Sequence, residues 1–184
     1  MRIVFIGPPG AGKGTQAARV CQALGIACLS TGEVLRQAQA SDTAAGREIA
    51  ARLEAGELVP DDLVLRIVTD RLADTDCHHG FLFDGFPRTV PQAVELDKLM
   101  DDHHTRLDAA VLFEVGEQEL LDRLACRGRA DDKKELIRQR LRDYAKLTTP
   151  LAEYYQQRGV LHRIDAAGTT DQVYGRIARA LGLP

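Results

Sequence analysis

The most constraining feature of this sequence is a glycine-rich stretch near its N-terminus, Gly7-Pro8-Pro9-Gly10-Ala11-Gly12-Lys13-Gly14-Thr15. It follows an apolar segment that predicts a strand, and it precedes a segment that predicts a helix. Glycines at this place let consecutive backbone N–H groups turn toward one anion at a helix N-terminus. Lys13 would then supply a positive charge for the β- and γ-phosphates of a nucleotide. The stretch therefore predicts a phosphate-binding loop.

The rest of the chain alternates short apolar segments with longer amphipathic ones, a pattern typical of a parallel sheet covered by helices on both faces. With 184 residues, the chain is long enough for one domain with a sizeable core. The amphipathic segments predict helices at about 13–24, 31–71 in several pieces, 90–100, 117–125, 133–158 and 170–181. We expect a three-layer α/β fold whose five parallel strands lie at 2–6, 26–29, 80–83, 109–115 and 160–164.

Two stretches predict excursions from this pattern. Residues 31–72 are too long for one crossover helix, and Gly32, Gly46, Gly56 and Pro60 divide them, which predicts a small helical insertion at the sheet edge. Near residues 127–132, a glycine and two aspartates interrupt two helical patterns, and we expect a mobile flap there.

Composition excludes several other classes of protein. The hydrophobic and charged fractions, 45% and 28%, are those of a globular protein, and a net charge of −3 argues against broad binding to nucleic acid or anionic lipid. No apolar run approaches membrane-spanning length, and the N-terminal apolar stretch is too short for a signal peptide, so we expect a cytoplasmic protein. No two of the four cysteines have zinc-binding spacing, and Cys77-His78-His79 cannot readily converge on one ion.

A second chemical signal ends the third predicted strand. In Phe81-Leu82-Phe83-Asp84-Gly85-Phe86-Pro87-Arg88, Asp84 would present its carboxylate beside the phosphate loop. Carboxylate and hydroxyl oxygens suit Mg²⁺, so Asp84, acting through water, and Thr15 are the predicted metal-binding residues. Arg88 leaves the same sheet edge, and its guanidinium can bind a phosphate through two hydrogen bonds.

Four segments together resemble, in order and spacing, the adenylate kinase family. They are Gly7 to Gln16, Ser30-Thr31-Gly32-Glu33-Val34-Leu35-Arg36, Asp84-Gly85-Phe86-Pro87-Arg88 and Arg127-Gly128-Arg129-Ala130-Asp131-Asp132. The similarity continues through Thr149-Pro150-Leu151 to Asp165-Ala166-Ala167-Gly168. It also explains why Gly14 stands where a P-loop usually has Ser or Thr, since GxPGxGKGT is this family's own form of the loop.

The resemblance implies one P-loop kinase domain over residues 1–184, with a helical insertion that binds the nucleoside monophosphate at about 30–59 and a short LID at about 126–132. The implied activity is reversible transfer of the γ-phosphoryl group of MgATP to AMP, giving two ADP, without a covalent enzyme intermediate. The implied partners are ATP, AMP and ADP, with Mg²⁺ and no zinc, and the implied protein is a cytoplasmic monomer that binds neither nucleic acid nor membranes.

Carried over by position, the resemblance also implies roles for individual residues. Four catalytic cations would meet the transferring phosphoryl group: Lys13, Arg88, Arg129 and Arg140. ATP would be held by Gly10, Ala11, Gly12, Lys13, Gly14 and Thr15, by Arg127 at the adenine and by the carbonyl of Gly168. The AMP site would consist of Thr31, Arg36, Glu57, Leu58, Val59, Gly85, Phe86, Pro87, Arg88 and Gln92, with Arg36 on the phosphate and Gln92 hydrogen-bonded to the adenine.

Two alternatives share part of this pattern. A kinase for CMP and UMP has the same loop and LID arginines, but such relatives tend to carry Ala and Asn where this chain has Thr31 and Gln92. A nucleotide-switched binding module needs one nucleotide site, whereas arginines here converge from three segments on a second anion. The LID departs from the family pattern, because only Gly128 separates Arg127 from Arg129.

Overall fold

A computed structural model of the chain describes residues 1–32, 47, 51–52, 59–127 and 134–183, and of residues 126, 127, 134 and 135 the backbone alone. Most of the predicted insertion at 30–59 and of the predicted LID at 126–132 lies outside these ranges. Their boundaries therefore stay predictions. No helix within the described ranges is long and apolar enough to cross a membrane.

The predicted five-stranded parallel sheet is confirmed. Its strands are β1 (Arg2–Ile6), β2 (Ala27–Ser30), β3 (Phe81–Asp84), β4 (Ala109–Glu114) and β5 (Leu161–Asp165). They are ordered β2-β3-β1-β4-β5, and every pair is parallel. β2, β3 and β5 each begin one residue later than predicted. Gly80 cannot belong to β3, because its φ of 134° is outside the range of a regular strand.

Helices cover both faces of the sheet. They include α1 (Lys13–Leu24), α2 (Asp61–Leu72), α3 (Val90–Asp102), α4 (Glu117–Arg127), α5 (Lys134–Asp143), α6 (Pro150–Gln157) and α7 (Thr170–Leu181). Side chains of β1 alternate between two cores, as the period of a strand requires. Ile3 and Phe5 pack with α1, α4 and α7, whereas Val4 and Ile6 pack with α2, α3 and α6.

The prediction of a helical stretch over residues 133–158 is confirmed for residues 134–157, although this stretch is not one regular α-helix. The structure divides this stretch into α5, a π-helical turn at Tyr144–Thr148, and α6. Pro150 accounts for the break, because it lacks an N–H and its ring clashes with the carbonyl four residues earlier. The turn before it widens, so that the N–H of Thr149 bonds to the carbonyl of Tyr144 at 3.0 Å.

The strand order determines where a ligand can bind. β1 lies between β3 and β4, so the chain moves to one side of β1 for β2 and β3 and to the other side for β4 and β5. Ligands of open α/β sheets bind beyond the carboxyl ends of the strands at such a switch point. The loop from Gly7 to Gly12 leaves β1 at that place.

Candidate active site

The loop between β1 and α1 has the backbone geometry that a close approach to an anion requires. Gly10 and Gly12 have φ angles of 87° and 89°, which glycine adopts without a steric cost. The N–H of Ala11 bonds to the carbonyl of Pro8 at 3.2 Å and closes a turn. A Cβ on Gly10 would stand 2.9 Å from Cγ of Leu124, so packing against α4 also requires glycine there.

The side chain of Lys13 lies against this loop. Its Nζ donates to the carbonyl oxygens of Gly7 and Pro8 at 2.7 and 3.0 Å. The positive charge is therefore held beside the backbone that would surround the phosphates. A phosphate oxygen would offer Nζ a stronger, charge-assisted hydrogen bond than either carbonyl.

β3 brings Asp84 to the first turn of α1. A Cβ on Gly14 would lie 3.1 Å from Oδ2 of Asp84, so glycine leaves room for the carboxylate. Thr15 is exposed in the same turn. These hard oxygen donors fit Mg²⁺. Among the described residues, no three His, Cys, Asp or Glu side chains form a group that could hold a metal, so the other ligands of Mg²⁺ would be phosphate oxygens and water.

Arg88 turns back toward the end of β3. Its Nε donates to the carbonyl of Gly85 at 2.9 Å. The residue is exposed at the surface, yet its guanidinium is crowded by protein atoms, and this crowding lowers its pKa. The negative charge of Asp84 raises the pKa of Arg88, and the positive charge of Arg140 lowers it further. The predicted catalytic residues Arg88 and Arg140 therefore lie near each other and near Asp84.

Two predicted AMP-binding residues flank the segment from Asp84 to Arg88. Thr31 is buried, and its Oγ1 donates to the carbonyl of Asp84 at 3.2 Å. Gln92 is also buried, and its Oε1 accepts from the backbone N–H of Arg88 at 2.7 Å. Glycine at position 85 is required here, because a Cβ would come within 2.9 Å of Oγ1 of Thr31.

Arg123, which belongs to none of the four sequence segments that carry the resemblance, contacts the phosphate loop. One of its guanidinium nitrogens donates to the carbonyl of Ala11 at 3.5 Å, and the other donates to the carbonyl of Ala166 at 2.9 Å and to Glu119 at 2.5 Å. Arg123 therefore spans the phosphate loop and the loop that follows β5. The signal that could have found it is its position one helical turn before Arg127.

The remaining predicted residues are placed less completely. Arg36, Glu57, Leu58 and Arg129 lie outside the described residues, and of Arg127 only the backbone is described. The side chains of Val59 and Phe86 pack in the core, and Pro87 is buried. Phe86 and Pro87 would therefore contact a ligand mainly through their backbone. Gly168 has a φ of 99°, and a Cβ there would stand 2.5 Å from Oε1 of Gln172.

Comparison with known proteins decides the family. The family model for adenylate kinase matches residues 5–160. The chain belongs to the adenylate kinase family. Adenylate kinase of Thermus thermophilus is 49% identical over 185 residues, covering 98% of this chain and 97% of that protein. Adenylate kinase of Mycobacterium tuberculosis is 46% identical over 182 residues, which cover 99% of this chain and 99% of that protein. Adenylate kinase of Parasynechococcus marenigrum is 47% identical over 180 residues, which cover 98% of this chain and 98% of that protein.

The resemblance inferred from the four sequence segments is thereby confirmed. The chain is a kinase that binds nucleotides and transfers a phosphoryl group, and the family assignment favours this activity over that of a nucleotide-switched binding module. The fold agrees, since the family's P-loop architecture is the α/β architecture found here.

Proposed function

We propose that this family member transfers the γ-phosphoryl group of MgATP to AMP, reversibly, and that two ADP are the products. The main support is the position of Asp84 beside the first turn of α1. Its Oδ2 lies 3.1 Å from the place that a Cβ on Gly14 would occupy. Asp84 joins the phosphate loop to the segment that leads to Arg88. Two elements that would each bind an anion therefore lie at one sheet edge, which supports transfer between two nucleotides.

The proposed mechanism rests on positioning and charge. Lys13, Arg88 and Arg140, with Arg129, would surround the transferring group, whose charge is spread over its equatorial oxygens in the transition state. The backbone N–H groups from Gly10 to Thr15 would hold the ATP phosphates. No general base is needed, because the attacking oxygen of AMP is already anionic.

The metal fits this arrangement. Thr15 and Asp84, the latter through water, would hold Mg²⁺, which would supply positive charge to neutralise the phosphates. Asp84 would also keep Arg88 in place, since its carboxylate lies near that guanidinium. We further propose that the protein uses no zinc.

The acceptor site would lie on the other side of Asp84. Thr31 and Gln92, the backbone of Glu57, Leu58 and Val59, and the segment from Gly85 to Arg88 would hold AMP, with Arg36 on its phosphate. For the ATP base we propose Arg123 together with the carbonyl of Gly168. The support for Arg123 is its bond to the carbonyl of Ala166, two residues before Gly168. Arg127 would then face the phosphates or the closing LID.

We also propose that the enzyme is a cytoplasmic monomer. Within the described part of the chain, the large apolar side chains that are exposed are Met1 and Leu121, which are 38% and 37% exposed. Two isolated side chains do not form the apolar patch of an obligate interface.

Phosphorus NMR of the purified protein with MgATP and AMP tests the reaction. We expect one ATP and one AMP to disappear for every two ADP formed, without orthophosphate. Orthophosphate in place of the second ADP would show that water, and not AMP, accepts the phosphoryl group.

A further inference from the structure

The side-chain amide of Gln92 is held at both ends. Only 4% of the residue is exposed. Its Oε1 accepts from the backbone N–H of Arg88 at 2.7 Å, and its Nε2 donates to Oδ1 of Asp61 at 2.5 Å. A backbone N–H can only donate, and a carboxylate can only accept. The amide therefore cannot turn over without placing donor against donor and acceptor against acceptor.

Asp61 is itself fixed in position. It is the first residue of α2, and its second oxygen, Oδ2, accepts from Oγ1 of Thr89 at 3.3 Å. Thr89 in turn caps α3 by accepting from the backbone N–H of Gln92 at 3.3 Å. One carboxylate thus contacts the side chain of Gln92 and also the residue that begins the helix on which Gln92 lies.

These hydrogen bonds determine which groups of the Gln92 amide remain available to a ligand. A Gln side chain has two N–H donors and two acceptor lone pairs. Asp61 uses one donor and Arg88 uses one lone pair, so one of each remains for a ligand. The edge of adenine offers an acceptor at N1 beside the N6 amino donor. Hypoxanthine offers the reverse, a donor at N1 beside the O6 acceptor, and so it would match only an amide that is turned over.

We propose that Asp61 is a positioning residue that selects AMP against 6-oxopurine nucleotides such as IMP, by fixing the orientation of the Gln92 amide. The inference rests on the proposed function, from which the contact between Gln92 and the base is taken. Asp61 acts through Gln92 and does not touch the acceptor. Without this carboxylate, only the N–H of Arg88 opposes the reversed amide, and hypoxanthine loses less binding energy through unpaired groups.

The test compares AMP and IMP as acceptors in steady-state ADP formation. Asp61→Asn should lower the ratio of kcat/KM for AMP to kcat/KM for IMP by about tenfold. Asp62→Asn is the matched control, because Asp62 lies in the same helical turn but pairs with Arg66 at 3.8 Å on the surface. This control should keep the parent ratio. In a Gln92→Ala background, Asp61→Asn should change the ratio no further, since the two residues act as one unit.

The possible results distinguish a failure of the role proposed for Asp61 from a failure of the proposed function. An unchanged ratio in Asp61→Asn, or an equal fall in Asp62→Asn, would overturn the role of Asp61 while leaving the proposed function intact. A parent protein that forms no ADP with AMP would refute the proposed function, and the role of Asp61 with it. If melting curves show that Asp61→Asn does not fold, Asp61→Ser carries the same expectation, because a hydroxyl both donates and accepts.

Discussion

Thr148 and Arg88 are joined by a hydrogen bond although they lie 60 residues apart in the chain. Oγ1 of Thr148, buried at the end of the π-helical turn, donates to the carbonyl of Arg88 at 2.9 Å. The backbone N–H of Arg88 is bonded to Gln92. The backbone N–H and the carbonyl of Arg88 are thus each hydrogen-bonded to a side chain. Arg140 lies on α5, the helix that precedes the π-helical turn.

We therefore expect Thr148→Val to impair the use of AMP more than the use of ATP. The substitution removes the donor from a part-buried carbonyl, which costs about 1–3 kcal/mol, and it frees the segment that bears Arg88. In steady-state kinetics, kcat/KM for AMP should fall about tenfold or more. Thr149→Val is the control, because its exposed hydroxyl bonds only weakly, at 3.4 Å, to the carbonyl of Tyr144. Equal kinetics for both variants would contradict this role.

The phosphate loop, Asp84 and Arg88 could be predicted because their geometry follows from neighbours in sequence. The loop directly follows β1, Asp84 is the last residue of β3, and Arg88 lies four residues further on. Parallel strands bring their carboxyl ends to one sheet edge. Asp61 could not be predicted as a partner of Gln92, since 31 residues separate them and their contact depends on how α2 packs against α3.

Arg123 was missed for a related reason. Its spacing from Glu119 indicates an ordinary i,i+4 pair on a helix surface, and the structure does contain that pair. Its contacts with Ala11 and Ala166, however, span 112 and 43 residues. The π-helical turn was missed because the helical period of the apolar residues continues through it.

Arg123→Ala should weaken the binding of ATP. The guanidinium bridges the two loops between which we place the ATP base, so its loss removes both a base contact and the link between them. We expect KM for ATP to rise about tenfold, with a smaller change for AMP. Arg66→Ala, which removes an exposed arginine from α2, should leave both values unchanged. An unchanged KM for ATP in Arg123→Ala would contradict this role and would favour Arg127 as the residue that contacts the ATP base.

Gly10→Ala should destabilise the protein more than Gly12→Ala does. Both substitutions force alanine into a positive φ, at a cost of about 1–2 kcal/mol. Only the Cβ at position 10 meets Leu124, and such overpacking adds about 1–3 kcal/mol. Urea denaturation without nucleotide measures the difference. Equal free energies of unfolding would show that α4 moves aside without cost.

Arg140→Ala should weaken the binding of a two-substrate analogue, two adenosines joined by five phosphates. The expected loss shrinks as salt rises, because the lost interaction is between charges. Arg142→Ala is the control, since Arg142 is on the same helix and bonds to Gln139 at 2.7 Å. We expect the same loss for Arg129→Ala. Titration calorimetry at two salt concentrations is the measurement, and a loss as large in Arg142→Ala would exclude a specific role for Arg140.

A panel of nucleoside monophosphates establishes which of them accepts the phosphoryl group. ADP formation from MgATP is followed with AMP, CMP and UMP in turn, for the parent and for Lys13→Ala. We expect kcat/KM to be highest for AMP, and we expect Lys13→Ala to lower kcat about 10³-fold while its melting curve still shows a folded protein. A higher kcat/KM for CMP or UMP than for AMP would contradict the assignment of AMP as the acceptor.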